Sequence, residues 1–227
     1  MALARSSAPP IRQRMGRLDW AAVARSLDER GYAKAGPVLT PAECARLCAL
    51  YPDDRRFRKR IDMERYRFGV GTYAYLADPL PPLVRSLRAA AYRHLAPIAN
   101  AWMQRLAEPT RFPATVARFL DECRQRGQSR PTPLLLCYQA GGYNLLHQDL
   151  YGEVVFPLQL TFYLSRPGID YEGGESLLVE QRPRAQSRGE VIVGQQGEML
   201  VFPTRERPVE GRRGAFRAAM RLSLIHI

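Results

Sequence analysis

The sequence has little histidine and almost no lysine. Its 227 residues include three histidines, and Lys34 and Lys59 are the only lysines, so arginine carries nearly all of the positive charge. No apolar run is long enough to span a bilayer. The N-terminus lacks the apolar core and cleavage site of a secretory signal. We therefore expect a cytoplasmic protein that does not associate with membranes.

Cysteine is also scarce, and its spacing excludes two common uses. Cys44 and Cys48 are one helical turn apart, and Cys123 and Cys137 flank a proline-containing loop. No C-x-x-C motif occurs, so neither a zinc knuckle nor a disulfide framework is indicated. We expect free thiols.

The net charge is +12, from 34 basic and 22 acidic residues. An excess of this size favours an anionic partner such as nucleic acid, an acidic protein or a small carboxylate. No basic block with interleaved aromatic residues stands out along the chain. The interpretation favoured here is a solvated, arginine-rich surface, which leaves nucleic acid open as a partner without selecting it.

The N-terminal half has the patterns of helices. Residues 1–14 are predicted to be a disordered tail, and residues 15–130 a helical support region. Helices are expected over 18–31, 82–106 and 114–126. A further helix starts at "TPAE", where Thr40 and Glu43 form the two ends of a capping box. The glycines and alternating aromatic residues of 63–76 suggest two strands around a turn.

From Pro133 the pattern changes to short β-rich runs separated by glycine, proline and aspartate turns. Runs of this length and spacing are typical of an antiparallel sandwich or barrel. The expected fold class is therefore α+β, with N-terminal helices packed on a β core that covers residues 131–221.

The segment "GGYNLLHQDLYGE" places His147 two residues before Asp149. Alternate residues of a strand project from the same face, so both side chains can reach one ion while Gln148 turns away. Two members of a 2-His-1-carboxylate iron site have this spacing. The alternative is a hydrogen-bonded His–Asp pair on a sheet surface.

The stretch "LLLCYQAGGYNLLHQDLYGEVVFPLQLTFYLSRPGIDYEGGESLLVEQRPR", followed by "GEMLVFP", resembles the Fe(II)/2-oxoglutarate-dependent oxygenases of the prolyl-4-hydroxylase-like group, in a bacterial branch. The resemblance implies a double-stranded β-helix (jelly-roll) and a hydroxylase that uses Fe(II) and 2-oxoglutarate, with ascorbate left open. It implies His147 and Asp149 as iron ligands, and Tyr138 as a partner of the 2-oxoglutarate carboxylate. A core aromatic is the alternative for Tyr138.

The resemblance breaks off after Arg221. The family has a third histidine ligand at the position of Leu222, and an arginine for 2-oxoglutarate further along that strand. His226 lies about 13 Å along a strand from position 222, too far to replace the ligand. A third ligand could also come from Glu206, and a partner for the 2-oxoglutarate carboxylate from Arg217 or Arg221. None of these three is favoured. We predict that residues 222–227, "LSLIHI", are a non-native tail and that the last strands of the jelly-roll are missing; resequencing the gene tests this.

Three functional interpretations remain open on the sequence. The first is a dioxygenase that hydroxylates a small molecule or a peptide, with nucleic acid not favoured as substrate. The second is a non-enzymatic jelly-roll binding module, and the third is an inactive fragment of an oxygenase. The oligomeric state is open.

Overall fold

The computed structural model describes residues 8–150, 152–212 and 214–224. The helices within them are α1 (Ile11–Gly16), α2 (Trp20–Arg30), α3 (Pro41–Cys48), α4 (Pro82–Arg105) and α5 (Val116–Gln125). The strands within them are β1 (Ala33–Ala35), β2 (Phe57–Asp62), β3 (Gly69–Val70), β4 (Thr72–Leu76), β5 (Leu134–Cys137), β6 (Tyr143–His147), β7 (Leu158–Phe162), β8 (Ser176–Gln181), β9 (Arg188–Ile192), β10 (Met199–Pro203), β11 (Glu206–Gly211) and β12 (Gly214–Leu224). None of the described helices is long and apolar enough to cross a membrane.

Two antiparallel sheets form the β core. One has the strand order β3-β6-β12-β8-β9, with β11 also paired to β12, and the other has the order β1-β10-β7. The chain passes back and forth between these sheets from β6 to β12, which is the jelly-roll arrangement. Apolar side chains from both sheets meet between them: Leu178, Ile192, Leu200, Phe202 and Met220. The α+β class expected from the sequence is confirmed.

The N-terminal region, predicted as a helical support region that includes strands at 63–76, contains strands as well as helices. Four strands precede residue 130, and two of them, β1 and β3, pair with β10 and β6 of the jelly-roll. The segment 63–76 does form β3 and β4, but these strands do not pair with each other. β4 lies between β2 and β5 in a third sheet. The domain boundary at residue 130 stays a prediction.

The predicted disordered tail is wrong for its last residues. Helix α1 begins at Ile11, and Ile11 and Met15 are buried in the main apolar core against α4. These two residues are four apart, so they lie on one face of a helix, and burying that face stabilises it. Residues 1–7 lie outside the described part of the chain.

The capping box at the start of α3 is confirmed and extended. The Thr40 hydroxyl accepts from the Glu43 backbone N–H, and the Glu43 carboxylate accepts from the Thr40 N–H. That carboxylate also accepts two hydrogen bonds from the Arg14 guanidinium, at 2.6 and 2.7 Å. Helix α1 is thereby tied to α3. Helix α3 ends at the free thiol of Cys48, and all four cysteines are free, as expected.

Arg207 on β11 is almost fully buried and pairs with Glu180 on β8 across the intervening strand β12. Its Nε donates to Glu180 Oε2 at 2.7 Å, and its remaining nitrogens donate to the carbonyls of Asp28 and Glu29 at the end of α2. Ala218, opposite Arg207 on β12, is small enough to leave room for this contact. The pair joins the helices to the jelly-roll.

Replacing Glu43 by Gln should destabilise the fold at neutral pH by about 2 kcal/mol, because a charged acceptor of several hydrogen bonds is lost. Burial alone raises the pKa of Glu43, but the Arg14 and Thr40 hydrogen bonds outweigh it and lower the pKa below its ordinary value of 4.5. This contribution is therefore fully present above that value and disappears as the pH falls through the lowered pKa.

Urea unfolding of both proteins from neutral to acid pH measures the difference. The gap between wild type and Glu43→Gln should close in acid. The exposed Glu29→Gln serves as control and should change little. A pH-independent gap would contradict the proposed role of the Glu43 charge.

Replacing Arg207 by Ala should cost roughly 3–5 kcal/mol of unfolding free energy, because Glu180 is then left buried with its main charge partner removed. The control is Arg182→Ala. Arg182 also pairs with Glu180, but its side chain is 41% exposed, so about 1 kcal/mol or less is expected. The double variant Arg207→Met with Glu180→Leu should recover most of the loss. Equal effects of the two single variants would refute the assignment.

Candidate metal-binding site

Strand β6 carries the central residues of the site and lies between β3 and β12. It follows the turn at Gly141 and Gly142. Gly142 has no room for a side chain, since a Cβ there would lie 2.7 Å from the carbonyl oxygen of Gln139. The strand ends at His147, and Asp149 lies just beyond its end.

His147 and Asp149 face each other, as the alternation predicted. The distance from His147 Nε2 to Asp149 Oδ1 is 3.7 Å, and both side chains are about one-third exposed (37% and 35%). This distance is too long for a hydrogen bond, so the alternative of a hydrogen-bonded pair is not what the structure contains. Two donors on one six-coordinate ion lie about 3 Å apart. A small rotation of either side chain gives that spacing.

The other imidazole nitrogen is held by the backbone. His147 Nδ1 is 2.7 Å from the carbonyl oxygen of Leu145, which can only accept, so the proton belongs on Nδ1. The lone pair is then on Nε2, the atom that faces Asp149. Metal-binding histidines are commonly oriented by such a contact.

Gln148 anchors the segment between the two candidate ligands. Its Nε2 donates to the carbonyl oxygens of Arg205 and Met220, each at 2.9 Å. Alternation along the strand predicts that Gln148 points away from His147 and Asp149, but the sequence does not assign it a role. The same alternation could have indicated the role, since a polar side chain that points away from the site has to find partners on the neighbouring strands.

Leu222 is the direct cross-strand partner of His147 on β12, and Leu178 on β8 is the next residue in that row. Leu222 packs against the apolar core between the sheets. Within residues 8–150, 152–212 and 214–224, no group of three His, Cys, Asp or Glu residues could hold a metal ion. The described residues bring two candidate ligands together at this position, His147 and Asp149, and His226 lies outside the described residues.

The substitutes weighed from the sequence have other partners. The Glu206 carboxylate binds Arg217, whose guanidinium also binds Glu108. Arg221 is exposed and sits one residue from Leu222, so alternation places it on the opposite sheet face.

Tyr138, just after β5, has a buried hydroxyl with no hydrogen-bond partner among the described residues. Burial raises its pKa; the Asn144 side chain opposes this rise, and the nearby charge of Asp149 adds to it. Asn144 Oδ1 is itself taken by the backbone N–H of Leu224. A buried hydroxyl near Asp149 that lacks a partner is the arrangement expected of a ligand-binding tyrosine.

Two cavities of the described chain lie elsewhere. One, of about 310 Å³, is between α3 and the segment 164–170, and the other, of about 290 Å³, is bordered by Asp53, Arg55 and Arg56. The His147–Asp149 pair is instead partly exposed to solvent. The candidate site is therefore defined by its donor atoms and not by an enclosed cavity.

A family described as "Oxygenase, catalysing oxidative methylation of damaged DNA" matches residues 71–227. The chain belongs to this oxygenase family. The resemblance inferred from the sequence is thereby confirmed at the family level. Two uncharacterised proteins from two strains of Mycobacterium tuberculosis are 49% identical over 136 residues, or 60% of this chain. The match spans only 58% of the length of these curated relatives.

Solved structures of oxygenases give weaker likenesses. A Pseudomonas putida prolyl-4-hydroxylase has a TM-score of 0.47 and 14% identity, over 92% of this chain and 99% of that one. A Trichoplax adhaerens prolyl hydroxylase in complex with a hypoxia inducible factor peptide fragment has a TM-score of 0.47 and 16% identity, over 94% and 91%. A Burkholderia pseudomallei oxidoreductase of the 2OG-Fe(II) oxygenase family has 0.47 and 14%, over 90% and 88%. Likenesses of this size carry no argument about function.

Replacing Gln148 by Leu should weaken binding of Co²⁺, a spectroscopic substitute for Fe(II), by about 10- to 100-fold, because the segment that positions both donors loses its two anchors. The exposed Gln139→Leu is the matched control and should bind as wild type does. Calorimetric or absorbance titration measures both. Unchanged binding by Gln148→Leu would show that the pair is positioned without this side chain.

Proposed function

We propose that this chain is an Fe(II)- and 2-oxoglutarate-dependent dioxygenase of the hydroxylase type, with its site at His147 and Asp149. The observation that carries the proposal is the convergence of His147 Nε2 and Asp149 Oδ1 without a hydrogen bond between them, in a chain of an oxygenase family. One imidazole and one carboxylate are two of the three protein ligands in the 2-His-1-carboxylate site of non-haem iron oxygenases. A cytoplasmic location and a role for ascorbate remain parts of this proposal.

The residues of the chain have separate roles in this proposal. His147 and Asp149 hold the ion, and the Leu145 carbonyl fixes the imidazole tautomer. The unpartnered hydroxyl of Tyr138 donates to a carboxylate of 2-oxoglutarate. When bound, Fe(II) and 2-oxoglutarate would supply the activation of O₂, the oxidant that hydroxylates a substrate C–H bond. The protein orients the substrate and excludes water around it.

Two protein ligands hold Fe(II) less firmly than three, and among the described residues no group of three His, Cys, Asp or Glu residues could hold a metal ion. The inactive fragment is therefore the main competing interpretation of the chain as it stands. The non-enzymatic binding module is the other, and it predicts no turnover even when the third ligand is supplied.

The substrate class also belongs to the proposal. The small molecule or peptide expected from the sequence stays a prediction. The family description names damaged DNA, and the net charge of +12 suits a polyanion, so nucleic acid is the second candidate.

The test is anaerobic binding of Fe(II) and 2-oxoglutarate, followed in the visible region, together with succinate formation in air. Wild type and Leu222→His are compared, because Leu222 lies directly opposite His147. Leu222→His should strengthen metal binding on the order of tenfold or more. Leu224→His, two residues further along β12, is the matched control and should not strengthen it.

His147→Gln and Asp149→Asn should each abolish the visible band in the Leu222→His background. His94→Gln should leave it unchanged, because His94 stacks on Trp20 in the helical region. A completed site that binds neither Fe(II) nor 2-oxoglutarate would end the oxygenase proposal. Binding without any succinate formation would favour the binding module.

A further inference from the structure

A pair of exposed aromatic rings lies beside the candidate metal site. Tyr66 and Phe68 are 47% and 49% exposed, and their rings stack on each other with centroids 5.6 Å apart and planes 21° from parallel. Large aromatic side chains usually bury most of their surface. Two of them stacked on one exposed turn form a flat apolar surface that is available to a ligand.

Arginines alternate with these rings in the segment 65–68, "RYRF", which we call the aromatic–arginine turn. Arg65 and Arg67 are exposed, and neither has an ion-pair partner among the residues that the structure describes. The acidic neighbours are Asp62 and Glu64; Asp62 is used to cap the turn, accepting from the Glu64 backbone N–H. The turn itself is thus not strongly positive, and attraction of a polyanion comes from the chain's +12 as a whole.

The turn is held against the strand that carries His147. Gly69 pairs with Asn144 of β6, and a Cβ at Gly69 would lie 2.2 Å from the Tyr143 carbonyl oxygen, so only glycine allows this approach. The Leu145 N–H donates to the Phe68 carbonyl at 2.8 Å, which continues the register by one pair.

Phe68 therefore lies opposite Leu145, two residues before His147. Two residues of strand are about 7 Å. That is close to the spacing of successive nucleotides in an extended single strand, so the point where the turn joins β6 is about one nucleotide from the candidate ligands along the strand.

We propose that the aromatic–arginine turn binds single-stranded nucleic acid, stacking one unpaired base on Tyr66 and Phe68 while Arg65 and Arg67 contact the adjoining phosphates. Exposed aromatic rings next to arginines are the recognition elements of proteins that bind single strands. An acidic peptide would satisfy the arginines but has no flat π-face for the rings. The inference rests on the proposed function only for what the site does to the neighbouring nucleotide.

The sequence alone did not indicate a binding role for this segment, because its alternating pattern resembles that of a strand. The structure instead has a short 3-10 turn over Glu64–Tyr66, with Arg67 in the left-handed region at φ 58°. A backbone turn places neighbouring side chains differently from a strand, and here Tyr66 and Phe68 meet ring to ring.

The test measures binding of a short fluorescein-labelled oligothymidylate to the metal-free full chain by fluorescence anisotropy. Tyr66→Ala and Phe68→Ala should each weaken binding by about tenfold, and Phe68→Trp should retain it. Arg65→Gln should lower the salt dependence of log Kd by about one. Val191→Ala is the matched control, because Val191 is an exposed apolar residue on β9 at the far edge of the same sheet. It should bind as wild type does.

Two results would overturn the inference: unchanged affinity of Tyr66→Ala and Phe68→Ala, or equal binding of polyglutamate with the same sensitivity to these variants. Tighter binding of the single strand than of its annealed duplex supports it, and preference for the duplex counts against it. Because the assay contains neither iron nor 2-oxoglutarate, its failure leaves the oxygenase proposal standing. Likewise, an absence of turnover would leave the binding result intact.

Discussion

The contact between Arg207 and Glu180 fixes the helical region and the jelly-roll at one point. One guanidinium satisfies a buried carboxylate on β8 and two carbonyls at the end of α2, which the helix itself leaves without partners. Gly31 ends α2 with a φ of 82°, and a Cβ there would lie 2.7 Å from Met220 Cε and 3.1 Å from Arg207 Cδ. A side chain at position 31 would therefore have to displace Met220 and Arg207, and it would be strained by the positive φ. A buried charge makes this arrangement specific, since any shift that separates the pair leaves a charge unsolvated.

The same strands position the candidate ligands. The carbonyl of Arg205, two residues before Arg207, and the carbonyl of Met220 on β12 both accept from Gln148. The buried ion pair joins β11 to β8 across β12, and the Gln148 amide ties the segment between the two candidate ligands to carbonyls on these strands. The Leu145 carbonyl then orients the His147 imidazole. Contacts with backbone carbonyls position the two donor atoms, and no direct hydrogen bond between the two side chains is needed.

Local sequence signals predicted the local features. The capping box of Thr40 and Glu43, the helix end at Gly31 and the shared face of His147 and Asp149 depend on residues within a few positions of one another, and the structure contains all three. The long-range partners could not be predicted. Arg207 and Glu180 are 27 residues apart, and Arg14 and Glu43 are 29 apart, so only the folded topology decides that these charges meet. The strand predicted for the segment 65–68 was wrong for a different reason. Alternation of side chains indicates a strand only when the backbone is extended, and Arg67 has a left-handed conformation.

The openness of the site bears on what kind of substrate it can use. His147 and Asp149 are about one-third exposed, and Leu145, Leu150 and Phe68 around them are exposed as well. Oxidative chemistry at such a site requires that water be excluded while the reaction proceeds. The protein covers about two-thirds of each of these side chains, so the substrate has to cover the part that stays exposed. A small polar molecule would leave the surrounding apolar side chains in water, whereas a substrate with a flat aromatic surface and several nucleotides or residues in contact buries them. Under the proposed function, this exposed apolar rim favours a macromolecular substrate over a small one.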